Sequence, residues 1–468
     1  MIRLSLAEVA DIVGGTIHDA DGGVEVRGAA FLDSRSPVPS GLFAAFSGER
    51  VDGHEYAADA VRGGAAAVLG SRPTGVPTVV VTDVRSALQE LAREVLSRLR
   101  SNGAGPQVVA ITGSQGKTSA KDLLARVLAD AAPTVATQGS FNNELGMPLT
   151  VLRADRATHY LVLEMGARGI GHLAELCRIA PPDISVVLNV GQAHLGEFGS
   201  RENIALAKGE LVEALDAHGT AVLNADDPLV APMASRTDAT TMTFGTAAGA
   251  DLRITGLDLD ELGRASFELV ASAASAPVRL RLLGLHQAFN AAAAAAAALA
   301  VGLELTDVAG SLSRVTALSK WRMEMHERAD GLVVVNDAYN ANPDSMRAAL
   351  ETLAELGRRS GRRTVAVLGE MLELGEESGA AHADIGRLVD ELDIDEVVAV
   401  GAGAASIRGA TTRQVESVEQ AIAWLRHNVQ RTDVVLVKAS RGARLERVAD
   451  SLLEIDGPDR EEGEVGTP

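Results

Sequence analysis

The chain contains a single cysteine and is short of positive charge. Cys177 is the only cysteine among 468 residues, so no disulfide can form within the chain, and its place in HLAELCRIA predicts a small buried residue rather than a nucleophile. Lysine and arginine number 43 against 63 acidic residues, which gives a net charge of −20. The sequence therefore predicts neither a nucleic acid nor a membrane as partner. An anionic ligand must be held locally, by helix N-termini, Mg²⁺ and a few basic side chains.

Long uncharged apolar runs are also missing. No stretch of about twenty such residues predicts a membrane span. The alanine run after Asn290 combines high helix propensity with modest hydrophobicity, so it predicts a tightly packed internal helix. The start, MIRLSLAEVADIVGG, carries Asp and Glu within its apolar pattern and indicates an amphipathic helix rather than a signal peptide. These features predict a cytoplasmic protein.

The length exceeds what one hydrophobic core usually holds, and two to four domains are expected. Residues 1–102 alternate short helices and strands between turns, which predicts a small α/β domain. In residues 103–316, HYLVLEMGA, DISVVLNVG and GTAVLNADD alternate with helical patterns and predict a mainly parallel sheet. Within the same region, TMTFG, DLRITGLDLD, ASFELV and PVRLRLLG predict a small addition of short antiparallel strands.

The last third of the chain predicts a second large sheet. Residues 317–456 hold four apolar strands, each followed by a loop and a helix, a pattern typical of a Rossmann-like doubly wound sheet. The tail at 457–468 is polar and is predicted to be disordered. The predicted fold class is therefore α/β in three domains.

The segment QVVAITGSQGKTSAKDLLARVL, residues 107–128, has the pattern of a strand, a glycine loop and a helix. Such a loop directs backbone N–H groups into one concavity at a helix N-terminus, where phosphate oxygens are favoured. Lys117 adds a charge and Thr118 a hydroxyl suited to Mg²⁺. The loop is shorter than the usual phosphate-binding pattern, because Ile111 stands where the first glycine is expected and Gly113 takes that part. An ordinary glycine turn is the alternative, but the pattern favours nucleotide binding.

Several polar residues follow predicted strands, and open parallel sheets bind ligands at the carboxyl ends of their strands. Glu164 directly follows an apolar run, where it either ligates Mg²⁺ or caps the next helix. His194 is equally compatible with a ligand and with an exposed loop residue. Lys208 lies within a helix, where spacing alone favours a solvated side chain. Asn142 and Asn143 either bind a ligand or shape a turn.

Two further polar groups belong to the last predicted sheet. NDAYNANPDSM places Asp337, Asn340 and Asn342 in a loop before a helix, which we call the amide loop. So many amides at a strand end favour contacts to a purine or ribose. KASRGARLERV begins with Lys438, for which an anion contact and a helix-surface charge are both compatible.

Taken in order, these motifs resemble those of the ATP-dependent Mur ligases of bacterial peptidoglycan synthesis. The resemblance extends over essentially the whole chain and rests on DSR at 33–35, TGSQGKTS, NNELGMPL, EMGA, AHLGEFGS, the lysine of AKGE, HQAFN and NDAYNANPDSM. The last motif resembles the branch that adds D-alanyl-D-alanine to UDP-N-acetylmuramoyl-tripeptide. The branch that adds the third residue shows a DYAHTP-like loop and a DNPR motif, and neither occurs here.

The resemblance implies an amide ligase that works through an acyl phosphate. The tripeptide carboxylate attacks the γ-phosphate of ATP, and the amine of the dipeptide then displaces phosphate. Two Mg²⁺ ions are implied, because the carboxylate and the triphosphate repel each other. The implied partners are therefore ATP, UDP-N-acetylmuramoyl-tripeptide and D-alanyl-D-alanine.

The resemblance also implies roles for individual residues. Those implied to be catalytic are Lys117, His194 and Lys208. Lys208 is expected as a carbamate, which supplies anionic oxygen to Mg²⁺ as an ammonium cannot. The implied metal ligands are Thr118, Glu164, His194 and Lys208. The implied nucleotide-binding residues are Gly113, Ser114, Gln115, Gly116, Lys117, Thr118, Ser119, Asn290, Arg322, Asp337 and Asn340. The implied residues for the UDP-linked substrate are Asp33, Ser34, Arg35, Thr137, Asn142 and Asn143.

Two departures and two rival functions accompany the resemblance. Lys320-Trp321-Arg322 stands where the family has Gly-Arg, and Ala439 replaces the glycine of KGSR. Folylpolyglutamate synthetases share the later domains but lack the N-terminal one. A nucleotide-gated P-loop switch would leave the amide loop unexplained, and no NKxD guanine motif occurs. Because the glycine loop and the amide loop lie in different domains, we expect the last domain to close when ATP and substrate bind.

Overall fold

The computed structural model describes residues 1–454 except 49, 50, 102, 104, 140, 192–194, 273 and 318. Within these residues the strands form three large sheets that follow one another along the chain, beside one small two-stranded ribbon. The arrangement is the predicted α/β fold in three domains. His194 and the predicted disordered tail lie outside the described residues.

The N-terminal domain carries a five-stranded sheet and a long helix that leads into the next domain. Its strands are β1 (Leu4–Ser5), β2 (Thr16–His18), β3 (Glu25–Val26), β4 (Ala30–Phe31), β5 (Leu42–Ala44), β6 (Ala67–Gly70) and β7 (Thr78–Val80). Its helices are α1 (Leu6–Val13), α2 (Ala57–Arg62) and α3 (Val84–Arg100). The sheet order is β2-β7-β6-β5-β4, and only the β2–β7 pair is antiparallel.

Helix α3 joins the first two domains into one core. Asp83 caps it by accepting the N–H groups of Arg85 and Ser86, each at 3.1 Å. Its Leu88 and Leu91 belong to the same buried cluster as residues of the central sheet. Burial of this helix therefore fixes the N-terminal domain against the central one.

The central domain contains the nucleotide-loop candidate in a large mixed sheet. Its strands are β8 (Gln107–Thr112), β9 (Thr134–Ala136), β10 (Tyr160–Glu164), β11 (Ile184–Val187), β12 (Thr220–Asn224), β13 (Thr240–Gly245), β14 (Leu252–Leu259), β15 (Arg264–Ala271) and β16 (Ala274–Leu283). Its helices are α4 (Lys117–Ala131), α5 (Gly146–Val151), α6 (His172–Ile179), α7 (Leu195–Phe198), α8 (Arg201–Glu213), α9 (His286–Ala300) and α10 (Leu305–Arg314). The order is β16-β15-β14-β13-β12-β11-β8-β10-β9.

The strand direction corrects one sequence prediction. TMTFG forms β13, which pairs in parallel with β12 and, over two residues, with β14. The antiparallel addition begins only with β14, β15 and β16, and these strands are long, with 8, 8 and 10 residues. The polar start of β13 reflects solvent exposure of Thr240 and Thr241. Exposure does not determine strand direction. The segment between β12 and β13 returns the chain to the edge where β12 begins, so β13 runs in the same direction as β12.

The alanine-rich segment is the internal helix that the sequence predicts. In α9, every residue from 291 to 298 is at most 1% exposed. The helix shares its buried cluster with Leu123, Leu124 and Val127 of α4. Methyl side chains allow two helix backbones to approach closely, so the helix that follows the glycine loop rests on a rigid support.

The C-terminal domain is the predicted doubly wound sheet with two additional edge strands. Its strands are β17 (Glu324–Glu327), β18 (Val333–Asp337), β19 (Thr364–Leu368), β20 (Glu396–Val400), β21 (Thr412–Val415) and β22 (Val434–Lys438). Its helices are α11 (Pro343–Ser360), α12 (Ser378–Glu391), α13 (Val418–Asn428) and α14 (Glu446–Leu453). The order is β17-β18-β22-β19-β20-β21, with β17 the antiparallel edge. Helices α11 and α12 cover one face, and α13 and α14 cover the other.

Two further sequence predictions concern burial. Cys177 is 5% exposed, and burial raises the pKa of its thiol to about 12, with a smaller contribution from Glu210. It is therefore the inert core residue that its helix predicts. No helix in the described part of the chain is long and apolar enough to cross a membrane.

Candidate active site

The glycine loop lies between β8 and α4, at the carboxyl edge of the central sheet. Gly116 caps α4 with a left-handed φ of 79°. A β-carbon at this position would lie 2.4 Å from Oδ1 of Asn290, so only glycine fits beside that amide. The loop therefore presents the N-terminus of a 15-residue helix to an open space, as phosphate binding requires.

Asn189 holds the loop in shape, a role that the sequence predictions missed. Its Oδ1 accepts the N–H groups of Ser114 and Gln115, each at 3.0 Å, and its Nδ2 donates to the carbonyl of Gln115 at 3.2 Å. Nζ of Lys117 donates to the carbonyl of Gly113 at 2.6 Å. Asn189 follows β11 at the same sheet edge, so the strand-end rule that selected Glu164 could have selected it as well.

The acidic side of the site is built around Glu164, the last residue of β10. Its side chain is buried, its Oε1 accepts Nδ2 of Asn142 at 2.7 Å, and its Oε2 is buried with no hydrogen-bond partner among the residues that the structure describes. The backbone N–H of Glu164 donates to the hydroxyl of Thr137 at 3.1 Å. A buried carboxylate oxygen without a donor is costly unless a cation binds it.

Lys208 faces the same space from α8 and is 5% exposed. Burial lowers the pKa of its ammonium well below the usual range, and the nearby charge of Lys117 lowers it further. Burial also lowers the pKa of Lys117, which Glu164 partly offsets. The solvated lysine that helical spacing favours at position 208 is therefore wrong, and the role as a metal ligand that the resemblance implies stays a prediction.

The last domain contributes a hydrogen-bonded group at the ends of β18 and β22. Nζ of Lys438 donates to Oδ2 of Asp337 at 2.5 Å and to the carbonyl of Asn340 at 3.0 Å. Lys438 is 1% exposed, so it is neither a helix-surface charge nor an open anion site, and it holds the amide loop in place. Asn342 caps α11 by accepting the N–H of Ser345 at 2.8 Å.

The segment before β17 explains one departure from the family pattern. Trp321 has a left-handed φ of 60° and Met323 one of 49°. Such a backbone suits glycine, which the family has where Trp321 stands, and the indole ring is covered by the guanidinium of Arg441 at 4.2 Å. Between the two strained residues, Arg322 stacks on the ring of Tyr339 at 4.1 Å.

These groups meet in one cavity of about 890 Å³ between the domains. Its size is that of a site for a nucleotide-sized ligand. The cavity is lined by residues of all three domains, among them Arg85, Ser114, Gln115, Gly116, Lys117, Thr118, Ser119, Asn142, Asn143, Glu164, Lys208, Asn290, Arg322, Asp337 and Asn340.

Three family models match the chain in the same order as its domains. The Mur ligase family catalytic domain matches residues 31–102, the Mur ligase middle domain matches 111–298, and the glutamate ligase domain of Mur ligases matches 321–441. This chain belongs to the Mur ligase family. The resemblance that the sequence motifs suggest is therefore confirmed.

Individual relatives of this Mur ligase agree over nearly its whole length. The UDP-N-acetylmuramoyl-tripeptide–D-alanyl-D-alanine ligase of Mycobacterium bovis is 46% identical, covering 97% of this chain and 99% of the relative. A crystal structure of MurF from Acinetobacter baumannii superposes with a TM-score of 0.85 at 32% identity and covers 97% and 99% of the two chains. MurF ligase from Thermotoga maritima in complex with ADP gives a TM-score of 0.78 at 32% identity, covering 91% and 97%.

Not every predicted site residue of this Mur ligase lines the cavity. Thr137 is 2% exposed and acts behind Glu164, and Gly113 contributes only its carbonyl to Lys117. Asn143 lines the cavity, but its Oδ1 accepts the N–H of Gly146 at 2.9 Å and so shapes the start of α5.

The DSR motif of this Mur ligase lies on the N-terminal domain, and none of its residues is among those that line the cavity. Nε and Nη2 of Arg35 donate to the two carboxylate oxygens of Asp33 at 2.9 and 2.8 Å. These hydrogen bonds lower the pKa of Asp33 to about 2. Ser34 lies between them in the chain.

His286 is a second cavity residue to which the sequence predictions gave no role. It begins α9, and its imidazole packs so closely over Gly284 that a β-carbon there would lie 2.5 Å from Cε1. Burial lowers the pKa of His286 to about 4, against the raising effect of Asp337 and with a smaller lowering effect of Lys438. The imidazole is therefore neutral at pH 7.

Proposed function

We propose that this Mur ligase uses ATP to join D-alanyl-D-alanine to UDP-N-acetylmuramoyl-tripeptide. The observation that supports the proposal is the shared cavity. In it, the glycine loop, Glu164 and Lys208 of the central domain face the amide loop of the last domain. The ADP complex of the Thermotoga maritima relative and the name of the Mycobacterium bovis relative support the nucleotide and the two substrates.

The proposed chemistry begins with the approach of two anions. The tripeptide carboxylate must attack the γ-phosphate of ATP, although both are negatively charged, and the bond to the β-phosphate breaks so that ADP leaves. The N-terminus of α4 and the ammonium of Lys117 offset part of this repulsion, because they place positive charge where the transferred phosphoryl group lies. In the second step, the dipeptide nitrogen bonds to the acyl carbon, the C–O bond to phosphate breaks, and the amine loses a proton.

We propose that two Mg²⁺ ions bind to Thr118, Glu164, His194 and a carbamate on Lys208. The donor set supports this fit, because Oε2 of Glu164 is a buried carboxylate oxygen with no hydrogen-bond donor in the described part of the chain. The lowered pKa of Lys208 favours the neutral amine, which is the form that reacts with CO₂. When bound, the ions neutralise the charge between the carboxylate and the triphosphate. Among the described residues, unmodified His, Cys, Asp and Glu side chains form no ready cluster of three for a metal, so the lysine carbamate is part of the proposal.

We propose that ATP lies along the cavity with its phosphates on Ser114, Gln115, Gly116, Lys117, Thr118 and Ser119. Gly113 belongs to this set through the carbonyl that it offers to Lys117. Asn290 would approach the adenine from the central domain. Arg322, Asp337 and Asn340 would complete the nucleotide site from the last domain, where Lys438 and Tyr339 hold them.

For the UDP-linked substrate we propose Asp33, Ser34 and Arg35 on the first domain, and Asn142 and Asn143 at the cavity. Thr137 would support Glu164 from behind rather than touch substrate, because its hydroxyl is buried against the backbone of β10. We further propose domain boundaries near residues 102 and 316, which lie between the three sheets. Since the reaction consumes ATP, we propose that it takes place in the cytoplasm.

Phosphate release by the purified protein tests this function. With ATP, Mg²⁺, UDP-N-acetylmuramoyl-tripeptide and D-alanyl-D-alanine, we expect release only when both substrates are present. Release that is indifferent to the dipeptide would overturn the proposal. Parallel reactions with tripeptides ending in diaminopimelate and in lysine identify the third residue that the enzyme accepts.

A variant series tests the carbamate. Lys208→Ala should abolish turnover, and short carboxylates such as acetate should restore part of it by supplying the missing anionic oxygen. Glu202→Ala, an exposed change on the same helix, serves as the control and should keep wild-type activity. Normal activity of Lys208→Ala would show that this lysine is not a ligand.

A further inference from the structure

An ion pair between two domains stands at the edge of the proposed active site. Nη2 of Arg168, in the loop after β10, lies 3.3 Å from Oε1 of Glu373, in the loop after β19. Both loops follow the carboxyl ends of parallel strands, and both residues line the large cavity. Such edges of open sheets are where ligands bind.

Glu373 is held in a strained and supported position. Its φ of 66° is left-handed, a conformation that non-glycine residues adopt only where the surroundings enforce it. The preceding backbone is fixed twice, since the N–H of Met371 donates to Nε2 of the fully buried His382 at 2.9 Å and the N–H of Leu372 donates to Oγ of Ser440 at 3.0 Å. The carboxylate also lies near enough to Lys117 to raise the pKa of that ammonium. The loop therefore presents a negative charge close to the phosphoryl-transfer end of the cavity.

Arg168 and Arg85 are both exposed arginines at the cavity, but their partners differ. Arg85 of the first domain lies 3.6 Å from Glu144 of the central domain, whereas Arg168 is paired with a carboxylate of the last domain. Three other basic side chains of the cavity are held by the protein. Lys438 is buried against Asp337, Lys117 donates to loop carbonyls, and Arg322 is stacked on an aromatic ring. The side chain of Arg168 is 66% exposed, and that of Glu373 is 40% exposed. A guanidinium that remains open to solvent can exchange its carboxylate partner for a ligand carboxylate at low cost.

We propose that Arg168 and Glu373 bind the two charged ends of the incoming dipeptide, with Glu373 receiving the ammonium and Arg168 the carboxylate. This inference rests on the proposed ligase function and adds the recognition of its amine substrate. A dipeptide at neutral pH carries both charges, and an Arg–Glu pair is their complement. The charged ends of an extended dipeptide lie roughly 5–7 Å apart, so the two long side chains separate by a few ångströms to admit it.

Two exposed apolar side chains are close to the pair in the chain. Ile170 and Leu372, each within two residues of the pair, are 59% and 43% exposed. Neither is among the residues that line the cavity, so the recognition of the dipeptide is assigned to the two charges alone. With the ammonium on Glu373, the dipeptide nitrogen would be near Lys117, whose charge Glu373 affects.

Steady-state kinetics with D-alanyl-D-alanine and with its C-terminal amide test the proposal. The amide lacks the carboxylate, so wild type should prefer the acid by about 10- to 100-fold in kcat/KM, as loss of a charged hydrogen bond predicts. In Arg168→Met, which keeps an apolar stem, this preference should fall to within about twofold of unity. In Glu373→Gln, the KM for the dipeptide should rise about 10-fold or more while the KM for ATP stays within about threefold.

Arg387→Ala and Asp384→Asn provide the control, because they break a similarly exposed pair on α12. Both should behave as wild type in every assay. If Arg168→Met and Glu373→Gln shift the KM values of all three substrates alike and leave the acid-to-amide preference intact, the pair is only a contact between domains and the proposal is wrong. Wild-type phosphate release that does not depend on the dipeptide would instead overturn the proposed function, so the two failures are distinguishable.

Discussion

Gly116 meets two demands that no other residue satisfies together. Its φ of 79° lies in the left-handed region, and the space where a β-carbon would stand is taken by Oδ1 of Asn290. Any other residue would be strained in the left-handed conformation. Its β-carbon would also displace the side chain of Asn290, which we place beside the adenine. The glycine loop and α9 are therefore in close contact because Gly116 has no β-carbon.

We expect Gly116→Ala to raise the KM for ATP about 10-fold or more and to lower the free energy of unfolding by about 1–3 kcal/mol. Gly256→Ala is the matched control, since Gly256 has a φ of 59° but nothing within 4 Å of the added methyl group. The control should lose stability without a change in KM. ATP titrations and urea unfolding measure both quantities, and equal KM values for the two variants would contradict the role of this contact.

His286 gives a pH dependence with a definite sign. Its pKa falls from the ordinary value of 6.5 to about 4 in the folded state, mainly because partial burial disfavours the charged ring. Between these two values the unfolded chain binds more protons than the folded one, so acid favours unfolding. The contribution of His286 to stability is therefore present above pH 6.5 and is lost as the pH falls towards 4.

The comparison with His286→Gln isolates this effect from other acid-sensitive groups. Wild type should lose more unfolding free energy than the variant between pH 6.5 and 4, and the two curves should run parallel above pH 7. Urea unfolding at a series of pH values measures the difference. A constant offset over the whole range would show that His286 is not the titrating group.

At the residue scale, the small number of lysines is a signal that the sequence predictions did not use. Of the 43 basic residues, five are lysines, at 117, 121, 208, 320 and 438. The chain thus relies on arginine for surface charge, and three of these lysines, at 121, 208 and 438, are at most 5% exposed. Helical spacing alone could not place Lys208 in the site, because α8 is buried along much of its length. Asn189 and His286 were missed because a single amide or imidazole carries no pattern.

Helix α9 depends on small side chains along its whole contact with α4. A Leu side chain at the fully buried Ala295 has no space to enter, so Ala295→Leu should cost about 1–3 kcal/mol of unfolding free energy. Ala300→Leu, at the half-buried end of the same helix, should cost less than about 1 kcal/mol. Urea unfolding compares the two, and a larger loss at Ala300 would contradict the packing of α9.

At the element scale, apolar runs predicted the buried parallel strands well, because a strand covered on both faces leaves few polar residues. Strand direction and edge strands were harder to predict. The polar start of β13 was interpreted as antiparallel, and β17 and β21 were not predicted because edge strands carry mixed residues. The strained turn at Trp321 could not be predicted either, since its support, Arg441, lies 120 residues later.

At the scale of the whole molecule, polar contacts join the last domain to the central one. Asp122 of α4 accepts the N–H of Ser319 at 2.7 Å at the entry to the last domain, and Arg359 of α11 donates to the carbonyl of Leu259. Contacts of this kind are weak individually, and relative motion of the domains is the default expectation for such interfaces.

We expect the last domain to close on the central one when nucleotide and tripeptide substrate bind. Small-angle scattering should show a smaller radius of gyration with both ligands than without them, and nucleotide alone should give a smaller change. The reason is that three of the eleven proposed nucleotide-binding residues, Arg322, Asp337 and Asn340, belong to the last domain. An unchanged radius with both ligands would count against closure.

The order of the three domains was predictable from the sequence because each region has its own alternation of strands and helices. Their mutual placement was not, since it depends on surfaces rather than periodicity. Helix α3 shows this, because it is connected to the first domain and buried in the core of the second.

The buried thiol makes this chain well suited to fluorescence labelling. Cys177 is the only cysteine, and in the folded protein it is neither accessible nor ionised near neutral pH. Cysteines introduced at the exposed Arg126 of α4 and Arg387 of α12 would therefore take up dyes selectively without removal of the native residue. Energy transfer between the two dyes would then follow the distance between the central and last domains during single turnovers.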